Sequence, residues 1–167
     1  TNLRNMNYMF EGCSSLKSLD ISNFNTPNLI SMWATFIGCS GLTSLNVNSL
    51  KTEQVTSLMQ SFKGCSSLTS LKLNNFNTAN LINMKEMFSG CFNLSNLILP
   101  LDTNNVTNIS SMFYDCKRLT TLDLSHLDIT NVTESLFMFK YCSNLKKVIL
   151  SNENYMLLER ALRWDIS

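Results

Sequence analysis

The 167-residue chain has the length of one domain with a sizeable core, a formal net charge of +1 and only 15% charged residues. That balance carries no signature of a nucleic-acid or anionic-membrane partner, and no apolar run reaches the ~18–20 residues of a membrane span. Polarity comes instead from uncharged side chains, above all 22 Asn with Ser and Thr, and 2 Pro with 5 Gly are too few for a disordered linker.

The first predicted elements recur down the chain. "GCSSLKSLDISNFNT", from Gly12, returns as "GCSSLTSLKLNNFNT", from Gly64, with 11 of 15 positions identical. The six cysteines fall at 13, 39, 65, 91, 116 and 142, in steps of 26, 26, 26, 25 and 26. A disulfide framework rarely spaces its cysteines uniformly, whereas a repeat must. Phe10, Phe36, Phe62, Phe88, Phe113 and Phe139 stand three before each Cys, and Leu16, Leu42, Leu68, Leu94, Leu119 and Leu145 three after it. The short step is a deletion near "LPLDT", where Leu101 takes the slot of Phe24, Leu50, Phe76 and Leu127. The chain is a solenoid of about six coils.

Each coil has two halves. "C-x-x-L-x-x-L-x-L" ends in the period-2 alternation of a short strand with one buried face, and stacking pairs it in parallel with the next coil. The other half, as in "NLINMKEMFSGC" from Asn80, puts Leu81, Met84, Met87 and Phe88 at helical spacing. Thr26, Thr52, Thr78 and Thr103 precede it, suited to a helix N-cap or a turn. Gly12, Gly38, Gly64 and Gly90 sit where the chain bends back to the strand, a place for positive φ. Asp115 and Tyr141 replace the glycine in the last two coils, so those bends are expected to differ.

A strand, a short helix and a leucine ladder between them describe a leucine-rich repeat. "MFSGCFNLSNLIL" and "MFEGCSSLKSLDISNFNTPNL" resemble the BspA-like class, the 26-residue repeat of bacterial surface proteins and mycoplasma lipoproteins, over roughly residues 3–150. The expected fold is an α/β solenoid: a right-handed superhelix of about six 26-residue coils, with a parallel β-sheet on one face and short helices or 3-10 turns on the other. The resemblance implies a surface location and an adhesin-like role, binding host extracellular matrix or neighbouring bacteria. The solenoid is expected at 1–150 and a C-terminal capping segment at 151–167, where "NYMLLERALRWDIS" puts Tyr155, Leu158 and Leu162 in helical step. Because Thr1 opens in mid-coil, the chain is expected to be cut from something longer.

The Cys column reads as small buried hydrophobes at the coil corner, since stacked parallel Cβ vectors disfavour the S–S geometry and no His column completes a metal site. The Phe and Met columns read as core, and Trp33 as partly exposed beside it. The single histidine, His126, occupies the turn slot of Asn23, Ser49 and Asn75. With no second His, no G-x-S-x-G, no phosphate loop and no paired carboxylates, we expect no enzyme, no catalytic residue, no cofactor and no metal. Four N-x-S/T matches, at Asn93, Asn105, Asn108 and Asn131, read as composition.

Surface remains. On the strands, Ser18, Ser44, Ser70, Asn96, Thr121 and Lys147 form one outward column, nearly uniform in character. The other, Asp20, Asn46, Lys72, Ile98, Asp123 and Ile149, changes from coil to coil, and on a concave sheet such a column is where partners are read. These six are the candidate partner-binding residues of a non-catalytic bacterial surface protein, extracellular or on the cell surface, with a protein or cell-surface ligand. The alternative is a structural spacer or scaffold with no ligand of its own.

Overall fold

The structure, a computed structural model, describes residues 2–151; the expected capping segment lies outside the described residues from residue 152 on. Six three-residue strands mark the six coils: β1 Ser18–Asp20, β2 Ser44–Asn46, β3 Ser70–Lys72, β4 Asn96–Ile98, β5 Thr121–Asp123 and β6 Lys147–Ile149. They pair in parallel, one coil to the next, with Leu19 opposite Leu45, Leu71 opposite Leu97 and Leu122 opposite Val148. The ladders join β1 to β2, β3 to β4 and β5 to β6; β2 and β3 touch without a ladder between them. The continuous pairing lies on the opposite side, where single parallel bridges run Asn5, Ser31, Ser57, Asn83, Asn108, Glu134 through all six coils.

The expected short helices are not there: the described residues contain neither α nor 3-10 helix, and the second half of each coil is a run of turns. Hydrogen bonding gives the reason. In the first coil the amides of Met9, Glu11 and Cys13 close turns onto the carbonyls of Met6, Tyr8 and Phe10, while the alternate amides of Tyr8, Phe10 and Gly12 donate to Trp33, Thr35 and Ile37 in the next coil. A helix would keep all of these amides within itself. Two left-handed positions per coil make the alternation possible. One is the glycine column, at φ 68° to 74°. The other, which sequence reasoning missed, holds Tyr8, Ala34, Gln60, Glu86, Ser111 and Phe137, none of them glycine. The last two bends also follow the same path as the others, contrary to expectation, with Asp115 at φ 61° and Tyr141 at 65°.

Between the two sides runs the core. Phe10, Phe36, Phe62, Phe88, Phe113 and Phe139 stack with ring centroids 5.4 to 5.8 Å apart and planes within 10° of parallel. The Leu columns close the strand side, fully buried at Leu42, Leu68, Leu94 and Leu119. Leu16 and Leu145, in the first and last described coils, are only partly buried.

The buried polar residues tie coil to coil. The threonines open a turn rather than cap a helix, the Thr52 and Thr78 carbonyls accepting from the amides of Val55 and Leu81. Their side chains form an inner column: Thr52 Oγ1 donates to the Asn77 carbonyl at 2.9 Å, Thr78 Oγ1 to Asp102 at 2.8 Å and Thr103 Oγ1 to Asp128 at 2.7 Å. With no helix to cap, the hydroxyl bonds to the next coil, where Thr52 Oγ1 also accepts from the Asn77 amide at 2.8 Å. Its burial is thereby satisfied.

Candidate binding surface

The strand triplets point their middle residue inward and their outer two outward, so both predicted columns lie on one exposed face. The second column is assembled as three register pairs, Asp20 with Asn46, Lys72 with Ile98 and Asp123 with Ile149. Five of the six are exposed, Ile98 at 40%. Ile149 is half-buried.

Three of these side chains also shape the turn that follows their strand. Asp20 Oδ1 accepts from the Ser22 amide at 2.9 Å and Asn46 Oδ1 from the Asn48 amide at 3.0 Å. Asp123 Oδ1 accepts from both the amide and the hydroxyl of Ser125, at 2.9 and 2.6 Å. These bonds favour the ionised form: the Ser22 amide above all holds the Asp20 carboxyl below its ordinary range, and the Ser125 hydroxyl does the same for Asp123. Variation in this column is therefore constrained at Asp20, Asn46 and Asp123 by the turn, a role sequence reasoning did not assign. Lys72 and Ile98 stand side by side without such a duty. Where the ladder lapses between β2 and β3, Asn46 and Lys72 border a shallow depression of about 180 Å³. A larger apolar hollow, about 430 Å³, lies against Leu3 and Phe24 at the first coil, and none of the six strand-face residues lines it.

The other singled-out residues have structural occupations. Cys39, Cys65, Cys91 and Cys116 are buried free thiols, Cys142 is half-buried and Cys13 is exposed. Each from Cys39 on donates its S–H to the carbonyl of a Phe in the preceding coil, Cys39 to Phe10 at 3.0 Å and Cys91 to Phe62 at 3.1 Å among them. Burial pushes the Cys39 thiol up to about 11 and the Cys65 thiol to about 12, the neighbouring sulfur adding to the effect. Such thiols are poor nucleophiles and poor ligands. Among the described residues no three of His, Cys, Asp and Glu gather to hold a metal, and His126 is exposed in its turn. The amide nitrogens of the four Asn in N-x-S/T matches are all engaged with the neighbouring coil, Asn105 Nδ2 with Ala79 O and Asn131 Nδ2 with Asn104 O, both at 2.7 Å. Trp33 is half-buried, its ring 4.9 Å from Tyr8 and its Nε1 donating to Gln60 Oε1 at 3.3 Å.

Stacked coils with parallel strands on one side, turns on the other and a leucine ladder between define a leucine-rich repeat solenoid. Solved structures share the architecture. A leucine-rich cell surface protein from Faecalibacterium prausnitzii A2-165 superposes with a TM-score of 0.57 at 22% identity, over 87% of this chain and 36% of the other. A leucine-rich repeat protein from Bacteroides ovatus does so with a TM-score of 0.53 at 20% identity, over 90% and 42%. The chain thus spans well under half the length of either. By sequence it belongs to the family described as "Mycoplasma protein of unknown function, DUF285", which matches residues 1–71 and 56–156. Together these agree with the BspA-like leucine-rich repeat read from the sequence. No curated protein matches the chain.

Proposed function

We propose that the chain is a non-catalytic binding segment of a bacterial cell-surface protein, which recognises a protein or other surface macromolecule, extracellular matrix included, through its strand face. The observation supporting this is a contrast between two exposed columns on the same six strands. One stays small and polar from Ser18 to Thr121 and changes only at Lys147, while the other passes from acid to amide to cation to aliphatic in successive coils, Asp20, Asn46, Lys72 and Ile98. Ile98 adds exposed apolar area beside the Lys72 charge, the mixed chemistry a partner can read. The cell-surface protein of like fold supports a place outside the cell.

The test compares the parent with a Lys72→Ala, Ile98→Ala double variant on immobilised matrix proteins and on whole host and bacterial cells. Interface hot spots dominate affinity, so the variant should bind a captured ligand at least about tenfold more weakly with its Tm close to the parent's. Undiminished binding would move recognition off this face. A parent that captures nothing would favour the spacer.

A further inference from the structure

The last described coil departs from the others on its turn side. Where four earlier coils carry Gly12, Gly38, Gly64 and Gly90, it carries Tyr141; where others carry Ala34, Gln60, Glu86 and Ser111, it carries Phe137. Both positions are left-handed, at φ 65° and 61°, and a large side chain there is disfavoured relative to glycine. Burial could offset that cost, yet Tyr141 is 55% exposed and Phe137 41%, and Leu136 beside them is 55% exposed. Tyr8 shares the Phe137 column, but its ring lies against Trp33. Coil six sets two large aromatic side chains, Phe137 and Tyr141, in water on backbone that resists them, where the first coil sets only Tyr8, 39% exposed at φ 57°. That pairing, with Leu136 beside it, marks a site.

Lys140 stands between the two rings, its Nζ 4.7 Å from the Phe137 centroid and 5.4 Å from that of Tyr141. Among the described residues the two ion pairs engage Lys63 with Glu86 and Lys117 with Asp115, and no carboxylate among those residues pairs with Lys140. Tyr114 meets Tyr141 edge-on at 5.2 Å and steadies its ring. A cation held by two aromatic faces is complementary to a carboxylate with apolar flanks. Leu136 decides the class of macromolecule. An aliphatic side chain gains by burial against the apolar side chains of a protein, and a hydroxyl-covered sugar offers it little.

We infer that Leu136, Phe137, Lys140 and Tyr141 form a second docking surface, on the turn side of coil six, for a protein segment that sets an Asp or Glu beside apolar residues. The partner's carboxylate meets the Lys140 ammonium, and its apolar side chains cover the rings and Leu136. This surface is separate from the strand face and does not depend on it.

The experiment selects a random library of displayed peptides on the immobilised full chain, then titrates the selected peptides and an unbranched uronic-acid oligosaccharide against parent and variants. The expected peptides carry Asp or Glu next to Leu, Phe or Trp, and bind Lys140→Gln and Tyr141→Gly at least about tenfold more weakly than the parent. Tyr141→Gly restores the residue of the earlier coils and should keep the Tm close to the parent's, so lost binding with retained stability separates docking from a structural role. Lys72→Ala should bind as the parent does. Failure to select any peptide, selection of peptides without acidic residues, affinities indifferent to both coil-six substitutions, or binding of the oligosaccharide alone would each overturn the inference.

Discussion

The Cys65 thiol donates to the carbonyl of Phe36 at 3.3 Å, across 29 residues of sequence and one coil of structure. The same relationship joins Cys116 to Phe88 at 3.2 Å and Cys142 to Phe113 at 2.9 Å. Each sulfur thus serves as a small apolar filler and as a second donor to a carbonyl that already closes the turn of its own coil, as Phe36 O does with the Cys39 amide. Serine would supply a stronger donor and less apolar volume, and alanine no donor and a smaller side chain.

The thiols are expected to number six on titration in denaturant without reductant, and only Cys13 should react rapidly in the folded protein. A total near zero would mean bridges and would contradict the stack. Their titration also sets a pH dependence. The unfolded chain loses thiol protons near the ordinary value of 9.0, while buried Cys39 and Cys65 hold theirs to about 11 and about 12. Above that ordinary value the unfolded state binds fewer protons than the folded one. The contribution is complete below it and is lost as the pH climbs through the folded values. Urea midpoints should therefore fall more steeply from neutral to alkaline pH in the parent than in Cys65→Ala.

Central and terminal coils should differ in what a truncation costs. Leu71 is 1% exposed, between neighbours on both sides, and Leu71→Ala should destabilise by about 2–5 kcal/mol. Val148 occupies the same column in the last described coil and is only partly buried. Val148→Ala should cost clearly less, as read from urea denaturation of both variants. Equal losses would be incompatible with coils stabilised mainly by their neighbours.

Gly41 and Gly12 should respond to alanine for different reasons. A Cβ on Gly41 would lie 2.2 Å from the Ser14 carbonyl oxygen, a backbone atom of the preceding coil, and Gly41→Ala should cost about 1–3 kcal/mol as overpacking. Gly12 has no atom within 4 Å of its would-be Cβ but a φ of 68°. There the cost is conformational, roughly 1 kcal/mol. Hydrogen exchange would separate them: Gly41→Ala should loosen amides in both the first and second coils, and Gly12→Ala mainly those of its own bend.

The columns of Cys, Phe and Leu were legible because each repeats at a fixed step and each is apolar, so side-chain chemistry alone reports them. The helix was misread for a physical reason. Leu81, Met84, Met87 and Phe88 are all buried, and three- and four-residue spacing suits successive turns as well as it suits a helix. What distinguishes the two is the left-handed backbone at Glu86, φ 55°, and a glutamate gives no warning of it. The threonine column was visible, but its acceptor was not, because a backbone carbonyl in the next coil has no sequence signature. Of the strand-face residues, Lys72 and Ile98 behave as free surface, whereas Asp20 and Asp123 are drawn partly into their own turns.

On the turn side the backbone bonds between coils mostly run one way. Met32, Ala34, Phe36 and Gly38 donate forward to the third coil, and Ile109, Ser111, Phe113 and Asp115 donate forward to the sixth, against one or two backward bonds, such as Thr56 to Ile30, at the start of each run. Aligned peptide dipoles add, as they do along a helix. This wall of the stack is therefore electrically polar from end to end, with outward carbonyls toward the first coil and outward amides toward the sixth. A cation is favoured near one end and an anion near the other, although the formal charge of the whole chain is only +1.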